Sequence, residues 1–278
     1  PTWLKQPILS GCHTSVAPFF SRSVGFGRGA CPMASWGNPL VAKLAVGEAS
    51  QDDLCGFVVV CSWPMPEEVL AAYERFRSEL TAALPDEAYV YPGTTLHCTV
   101  MTLRAFTAGP MDSELRESLR WLWEPVLASA RAMEAWPVGT FTLRIGRPTL
   151  EGSAGIFRYE DVDGAITQMR DCLRSAIDVA GGRAAEGMDW SQAMPLSGTP
   201  EGQPAPQIPN IVHSTTLRWC GEPADRDTAK EAFDRVAETW VPMEIKVSRA
   251  TAVFEDTPYM HISADGSHIW WDSEKSKS

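Results

Sequence analysis

Short apolar runs rich in β-branched residues alternate with amphipathic segments along most of this chain, and this order constrains its fold most. The first run, residues 56–63, ends at Pro64 and is typical of a buried strand. An apolar stripe at helical spacing follows it, formed by Val69, Tyr73, Phe76, Leu80 and Leu84. Regular structure is therefore predicted to begin with a strand and an amphipathic helix.

The same order continues along the chain. We predict a strand near residues 95–103 and a helix from Asp112 that Pro125 kinks or divides. Two strands at 141–145 and 155–159 precede a helix that starts near 166 and stops at Gly181-Gly182. The last predicted elements are a strand at 211–219, a helix at 225–240, a long strand at 243–254 and a hairpin of 259–264 with 267–271. This alternation predicts an α+β protein whose sheets are backed by helices.

Composition suggests how the chain is divided. Residues 1–47 contain four basic residues and no acidic one, so residues 1–53 are predicted to be an N-terminal arm or an organelle-targeting segment. The main domain is predicted at 54–272, followed by a polar tail at 273–278. Residues 187–209 contain five prolines, which predicts an irregular surface insertion that is either a disordered segment or a lid.

Charge and cysteine content limit the partners. The formal net charge of −11 argues against an extended surface for nucleic acid, so a phosphorylated substrate is expected to be a small nucleotide or an RNA end. No apolar stretch approaches the roughly 20 residues of a membrane-spanning helix, so no membrane partner is predicted. The seven cysteines lack C-x-x-C spacing and favour a reducing, cytoplasmic location. The oligomeric state is left open.

Two histidines on predicted strands are each followed, two residues later, by a threonine. Residues two apart on a strand share a face, so His97 lies beside Thr99 and His213 beside Thr215. An imidazole transfers protons near neutral pH, and a hydroxyl donates a hydrogen bond to a phosphate oxygen without adding charge. Two such pairs facing each other would supply a general acid and a general base for one phosphate.

Other signals compete with these two motifs. His13-Thr14-Ser15 and His261-Ile262-Ser263 fit the looser His-x-Ser/Thr pattern, and His261 is kept as a minor rival. Residues 25–30 fit G-x-G-x-x-A without a flanking strand and helix, and are interpreted as a turn. Strand alternation places Trp219 on the face of His213, as a candidate for stacking a base.

The segments Leu96-His97-Cys98-Thr99-Val100 and Val212-His213-Ser214-Thr215-Thr216 resemble the paired His-x-Thr motifs of the 2H phosphoesterase superfamily. The order of elements between them is similar to that of RNA 2′,3′-cyclic phosphodiesterases, and the resemblance covers about residues 54–272. Two departures are Thr216, where an apolar residue is common, and the Pro-rich insertion between the motifs.

The resemblance implies a two-lobed fold, with pseudo-two-fold antiparallel sheets around a central groove and helices on the outer faces. It implies that His97 and His213 are the acid and base, in an order that the sequence leaves open, and that Thr99 and Thr215 bind the phosphate. The expected activity is a phosphodiesterase that uses no metal and no other cofactor and acts on a cyclic phosphate or an RNA linkage. The alternative is a nucleotide- or phosphate-binding module on the same fold without turnover.

Overall fold

The computed structural model describes residues 35–49, 55–106, 110–184 and 207–274. The helices in these ranges are α1 (Pro39–Ala45), α2 (Glu67–Ala83), α3 (Ser113–Arg131), α4 (Ala165–Ala184) and α5 (Arg226–Ala237). The strands are β1 (Gly56–Cys61), β2 (Ala88–Val90), β3 (Cys98–Arg104), β4 (Phe141–Ile145), β5 (Thr149–Glu151), β6 (Ala154–Asp161), β7 (His213–Trp219), β8 (Met243–Val247), β9 (Ala250–Glu255) and β10 (Ile269–Asp272). None of the helices in the described ranges is long and apolar enough to cross a membrane.

These strands form two sheets, which confirms the predicted α+β class. One sheet has four strands in the order β10-β9-β1-β3, and the other has the order β2-β7-β6-β4-β8 with β5 beside β6. Every pairing among these ten strands is antiparallel. Each sheet is the core of one lobe.

The two lobes repeat one arrangement. In the four-stranded sheet β1 lies between β9 and β3, and in the six-stranded sheet β6 lies between β4 and β7. Each of these central strands is followed along the chain by a long helix, α2 or α4, and then by the strand that carries a His-x-Thr motif. The fold therefore has the pseudo-two-fold character that the resemblance implies.

The helices cross between the lobes. On α2, the Tyr73 hydroxyl donates to the carbonyl of Thr216 on β7 at 3.3 Å, and the Phe76 ring lies 5.7 Å from the ring of Phe157 on β6. On α4, the Arg170 guanidinium donates to the carbonyl of Val100 on β3 at 3.2 Å. Each long helix thus contacts the motif strand of the other repeat, which ties the two motif strands into one structural unit.

Burial on both faces explains the continuous apolar sequence of β1. Phe57, Val59 and Cys61 belong to the large core under the helices. Val58 and Val60 face a smaller apolar cluster on the opposite side of the sheet, which includes Met260 and Ile262. A strand buried on both faces has no polar alternation, as its sequence shows.

The sequence-based prediction of one long strand at 243–254 is wrong. The segment contains two strands that belong to different sheets, because β8 pairs with β4 while β9 pairs with β1. The predicted hairpin of 259–264 is also wrong, since β10 pairs with β9 instead. Tyr259 and Met260 have φ of 58° and 59°, a left-handed conformation that interrupts an extended strand. The buried carboxylate of Glu255 accepts a hydrogen bond from the Met260 amide at 2.7 Å and holds this turn.

Two helices differ from their predicted form. α3 starts after Asp112, whose carboxylate accepts from the Leu115 amide, and it continues through Pro125 without a break in the assigned helix. α4 continues through Gly181 and Gly182 to Ala184, so the glycine pair does not stop it. Tertiary packing of an amphipathic face stabilises a helix more than single residues disfavour it.

Part of the segment predicted as an arm packs against the domain predicted at 54–272. Ser35 starts the compact unit that contains all the described residues. The Asn38 amide donates to the Trp219 carbonyl at 2.9 Å, the Trp36 ring lies 5.1 Å from the Trp219 ring, and Val41 is fully buried. Residues 1–34 of the predicted arm and residues 187–206 of the Pro-rich insertion lie outside the described residues. Where the insertion is described, Gln207 pairs with Thr102 on β3.

Candidate active site

His97 lies immediately before β3, after a short 3₁₀ turn at Gly93–Thr95. Its Nδ1 is 2.7 Å from the carbonyl oxygen of Thr95. A carbonyl can only accept a hydrogen bond, so Nδ1 carries the proton in the neutral ring. Nε2 is then the nitrogen with a lone pair, which is the form that a general base requires.

His213 is oriented by the same device. It is the first residue of β7, and its ring is hydrogen-bonded to the carbonyl of Ile211. Each motif histidine therefore uses the carbonyl two residues before it, at corresponding places in the two repeats. This equivalence supports the pairing of the two motifs that the sequence suggested.

Ser214 joins the two motifs directly. Its Oγ accepts from the His97 amide at 3.1 Å and from the Tyr159 hydroxyl at 2.9 Å, and it donates to the His97 carbonyl. A hydroxyl has one donor and two lone pairs, so these three bonds satisfy it completely. The middle residue of the second motif thus fixes the backbone of the first histidine.

Arg170 on α4 provides a second link. Its guanidinium donates to the carbonyls of Thr99 at 2.8 Å, Val100 at 3.2 Å and Ile211 at 3.0 Å. Its side chain is only 6% exposed, and burial lowers its pKa. The Ile211 carbonyl that receives Arg170 is also the one that orients His213. Arg170 is therefore placed to position both motifs, although it lies behind them.

The surrounding protein lowers the pKa of both imidazoles. Burial lowers the pKa of His97 to about 4, and the nearby charge of His213 adds to this, while the hydrogen bond to Thr95 opposes it. Burial also lowers the pKa of His213, with smaller contributions from Arg218 and Arg170. The two histidines are close enough for the charge of His213 to lower the pKa of His97.

Thr99 and Thr215 are half-buried, as are the histidines that precede them. The intervening Cys98 is fully buried on the opposite side of β3, where it pairs in register with Cys61 on β1. Strand alternation thus places each threonine with its histidine, as the sequence predicts. Hydroxyl donors at these positions suit the non-bridging oxygens of a phosphate.

A β-bulge changes the face of the residues after Thr215. Ile156 on β6 pairs with Thr215 and Gly155 pairs with Leu217, so Thr216 is an extra residue in β7. Arg218, which simple alternation assigns to the other side, therefore comes to the face of His213. Its guanidinium lies 5.0 Å from the centre of the Tyr259 ring.

The same bulge overturns the proposed role of Trp219. Its side chain is fully buried and packs against Trp36, on the opposite side of β7 from His213. A buried indole has no face on which a base could stack. Tyr89 on β2 pairs in register with Arg218 and is half-buried, so its ring lies on the same face of the sheet as Arg218.

His261, the rival histidine, has both ring nitrogens engaged by the protein. Nδ1 is 2.9 Å from the Pro258 carbonyl, and Nε2 is 3.1 Å from the Tyr89 hydroxyl. Its ring also stacks on the Tyr89 ring, with centroids 5.6 Å apart. These contacts give His261 a structural role in the aromatic cluster next to the groove. His13 and the glycine-containing segment 25–30 lie outside the described residues.

Three residues of this site were not found from the sequence. Arg170 had a detectable signal, because it falls within the apolar stripe of α4, four residues after Ile166 and three before Leu173. An arginine on a core-facing stripe requires buried partners. Nothing in the sequence singled out Ser214 except its place in the motif. Strand alternation assigned Arg218 to the other face of β7, because it takes no account of the bulge at Thr216. Among the described residues, no three His, Cys, Asp or Glu side chains gather in a way that suits a metal.

Comparisons with known proteins find similarity in structure. No protein-family model matches the chain, and no curated protein matches its sequence. TT0787 of Thermus thermophilus is similar with a TM-score of 0.42 and 16% identity, over 71% of this chain and 87% of that one. E. coli LigT complexed with 3′-AMP is similar with a TM-score of 0.38 and 17% identity, over 73% of this chain and 88% of that one. E. coli LigT complexed with ATP is similar with a TM-score of 0.36 and 16% identity, over 73% of this chain and 87% of that one. These sequences are distant, and the residues of this chain carry the functional proposal.

Proposed function

We propose that this protein is a 2H-type phosphodiesterase that hydrolyses a cyclic phosphate or an RNA linkage without a metal. The observation that carries the proposal is the junction of the two motifs, in which Ser214 bonds to His97 and Arg170 bonds to both motif strands. Two equivalent imidazoles oriented towards one site can deliver acid and base catalysis to a single phosphorus.

Burial suggests which histidine has which role. With a pKa of about 4, His97 is neutral at physiological pH and suits the general base. His213 is then assigned as the general acid, which must hold a proton when the substrate is bound although burial lowers its pKa in the free protein. A water molecule attacks the phosphorus, and Nε2 of His97 takes a proton from that water. The bond between phosphorus and the leaving ribose oxygen breaks, and His213 transfers its proton to that oxygen. The product is a phosphate monoester.

The other groove residues stabilise the charge that develops on the phosphate. Thr99 and Thr215 donate to the non-bridging oxygens, and Arg218 adds a positive charge at one end of the groove. A local cation of this kind attracts a phosphate despite the net charge of −11. We propose that the substrate is a small nucleotide or an RNA end, and that the enzyme acts in a reducing compartment, the cytoplasm.

Turnover of a nucleoside 2′,3′-cyclic phosphate after exhaustive chelation tests this proposal. His97→Ala and His213→Ala should each lower kcat/KM by about 10²–10⁴-fold, the usual contribution of general acid–base catalysis. Thr99→Val and Thr215→Val should each lower kcat/KM by a smaller factor, because each removes only one of the hydrogen bonds that the phosphate accepts.

His261→Ala is the matched control, because His261 has the same loose motif but both of its ring nitrogens contact the protein. It should retain most of the activity. An equal defect in this variant would show that the wrong pair was chosen, and activity that requires a metal would refute the mechanism. Tight binding of the nucleotide without hydrolysis would favour the alternative, a phosphate-binding module.

A further inference from the structure

A cavity of about 280 Å³ lies beside Arg218 of β7. It is lined by Ser35, Trp36, Gly37, Asn38, Pro39, Ser153 and Arg218. Most of its wall comes from the segment before α1, which the resemblance to the 2H superfamily does not cover. The cavity is therefore a feature of this chain that the two motifs do not account for.

Arg218 belongs to both the groove and the cavity. On one side it lies over the Tyr259 ring and influences the pKa of His213. On the other side its guanidinium lines the cavity. Its positive charge would attract an anion there, and its N–H groups can form charge-assisted hydrogen bonds with one.

Neutral donors complete the cavity wall. The Asn38 Nδ2 donates to the Tyr259 hydroxyl at 3.2 Å, which leaves its second hydrogen for another acceptor. Ser153 lies in the turn between β5 and β6 and contributes a hydroxyl. The Glu222 carboxylate accepts from the Ser35 hydroxyl and the Trp36 amide on this wall, and its charge is balanced by an ion pair with Arg226. The groups that face the cavity therefore favour a negative ligand.

The spacing suits a second phosphate of one substrate. Arg218 is three residues beyond Thr215 on the same strand, so it lies on the order of 7–10 Å along the groove. This is the scale of one nucleotide unit. We infer that the cavity binds a further phosphate of a nucleotide whose other phosphate lies between the two motifs, so that the preferred substrate class is a nucleotide with at least two separate phosphates. As a statement about the substrate, this inference rests on the proposed function.

The test compares the binding of adenosine 3′,5′-bisphosphate with that of adenosine 3′-monophosphate by isothermal titration calorimetry. The wild type should bind the bisphosphate about 10- to 100-fold more tightly, the gain expected from charge-assisted hydrogen bonds. Asn38→Asp preserves the cap of α1, because Asp and Asn cap helices equally well, but places a carboxylate in the cavity. Asn38→Asp and Ser153→Asp should each reduce the gain to less than threefold.

Ser248→Asp is the matched control. Ser248 lies in the short connection between β8 and β9, so this substitution adds the same charge away from the cavity. It should keep the full gain. Equal affinity for the two ligands in the wild type, or a gain that survives Asn38→Asp and Ser153→Asp, would overturn the inference. So would an equal loss in Ser248→Asp.

Turnover is measured separately on adenosine 2′,3′-cyclic phosphate, so the two proposals fail in different ways. If the protein binds the bisphosphate more tightly than the monophosphate but does not hydrolyse the cyclic phosphate, the catalytic proposal is contradicted and the inference about the cavity is supported. A protein that hydrolyses the cyclic phosphate but shows no gain contradicts the cavity alone.

Discussion

At the scale of single residues, the proposed chemistry depends on how the protein holds the two motif imidazoles. The His97 ring donates Nδ1–H to the Thr95 carbonyl, the His213 ring interacts with the Ile211 carbonyl, and burial lowers both pKa values. An anionic phosphate between the rings would favour their protonated forms and raise both pKa values again. Binding of substrate is therefore coupled to uptake of the proton that the general acid needs.

This coupling predicts different pH profiles for kcat/KM and kcat. Activity rises as His97 loses its proton near pH 4 and falls as His213 loses its proton. Since the pKa of free His213 is lowered from 6.5, kcat/KM should have its optimum below pH 6.5 and fall about tenfold per pH unit well above it.

The kcat profile should lie at higher pH, because the bound phosphate raises both pKa values. Steady-state rates with a cyclic phosphate, which keeps a single negative charge over this range, provide both curves. A kcat/KM optimum above pH 7, or superimposable curves, would contradict this description of the imidazoles.

At the scale of elements, the two motif strands are positioned from behind by the helices that cross between lobes. Arg170 brings a charge from α4 to three backbone carbonyls on the two motif segments, and Tyr73 on α2 contacts β7. A buried cation without direct access to the groove acts on catalysis through the geometry of the groups it holds. Its effect on the rate and its effect on the His213 pKa can be separated by substitution.

Arg170→Met should lower the free energy of unfolding by about 2–4 kcal/mol, since three buried carbonyls lose a charged donor. It should also raise the pKa of His213, because the charge of Arg170 lowers that pKa. Arg170→Lys keeps the charge and should leave the pKa lowered, yet a single ammonium cannot reproduce the three-carbonyl geometry, so kcat should still fall roughly 10- to 100-fold.

Urea denaturation and an NMR titration of His213 measure these effects. Arg174→Met is the matched control on the same helix, because Arg174 is exposed and pairs with Asp171. It should change neither the His213 pKa nor kcat. A normal kcat in Arg170→Lys would show that Arg170 contributes charge and stability but no positioning.

Local sequence patterns predicted the individual helices and strands around the site better than they predicted how the strands pair. The helical stripe from Val69 to Leu84 is buried as expected, and period-two alternation placed each threonine with its histidine. Alternation failed at Thr216, because a bulge depends on the partner strand β6 and leaves no local mark. Division of residues 243–254 between two sheets was also hidden, since both halves are ordinary strand sequences.

At the scale of the whole molecule, two repeats of a strand–helix–strand unit form two lobes whose motif strands meet. Segments outside the repeats also contribute, since residues 35–38 line the cavity beside Arg218 and cover Trp219. Residues 1–53 were predicted to be an arm from their charge composition, and composition contains no information about packing. Long-range contacts such as the packing of Trp36 against Trp219 are visible only in the fold.

The central claim is that both motifs act on one phosphate, and a crystal structure with a nucleoside vanadate complex tests it most directly. The five-coordinate vanadium mimics the phosphorus during in-line attack. We expect its oxygens within about 2.7–3.2 Å of Nε2 of His97 and His213 and of Oγ of Thr99 and Thr215. A vanadate bound to a single motif, or bound elsewhere while the two imidazoles face separate pockets, would contradict the claim.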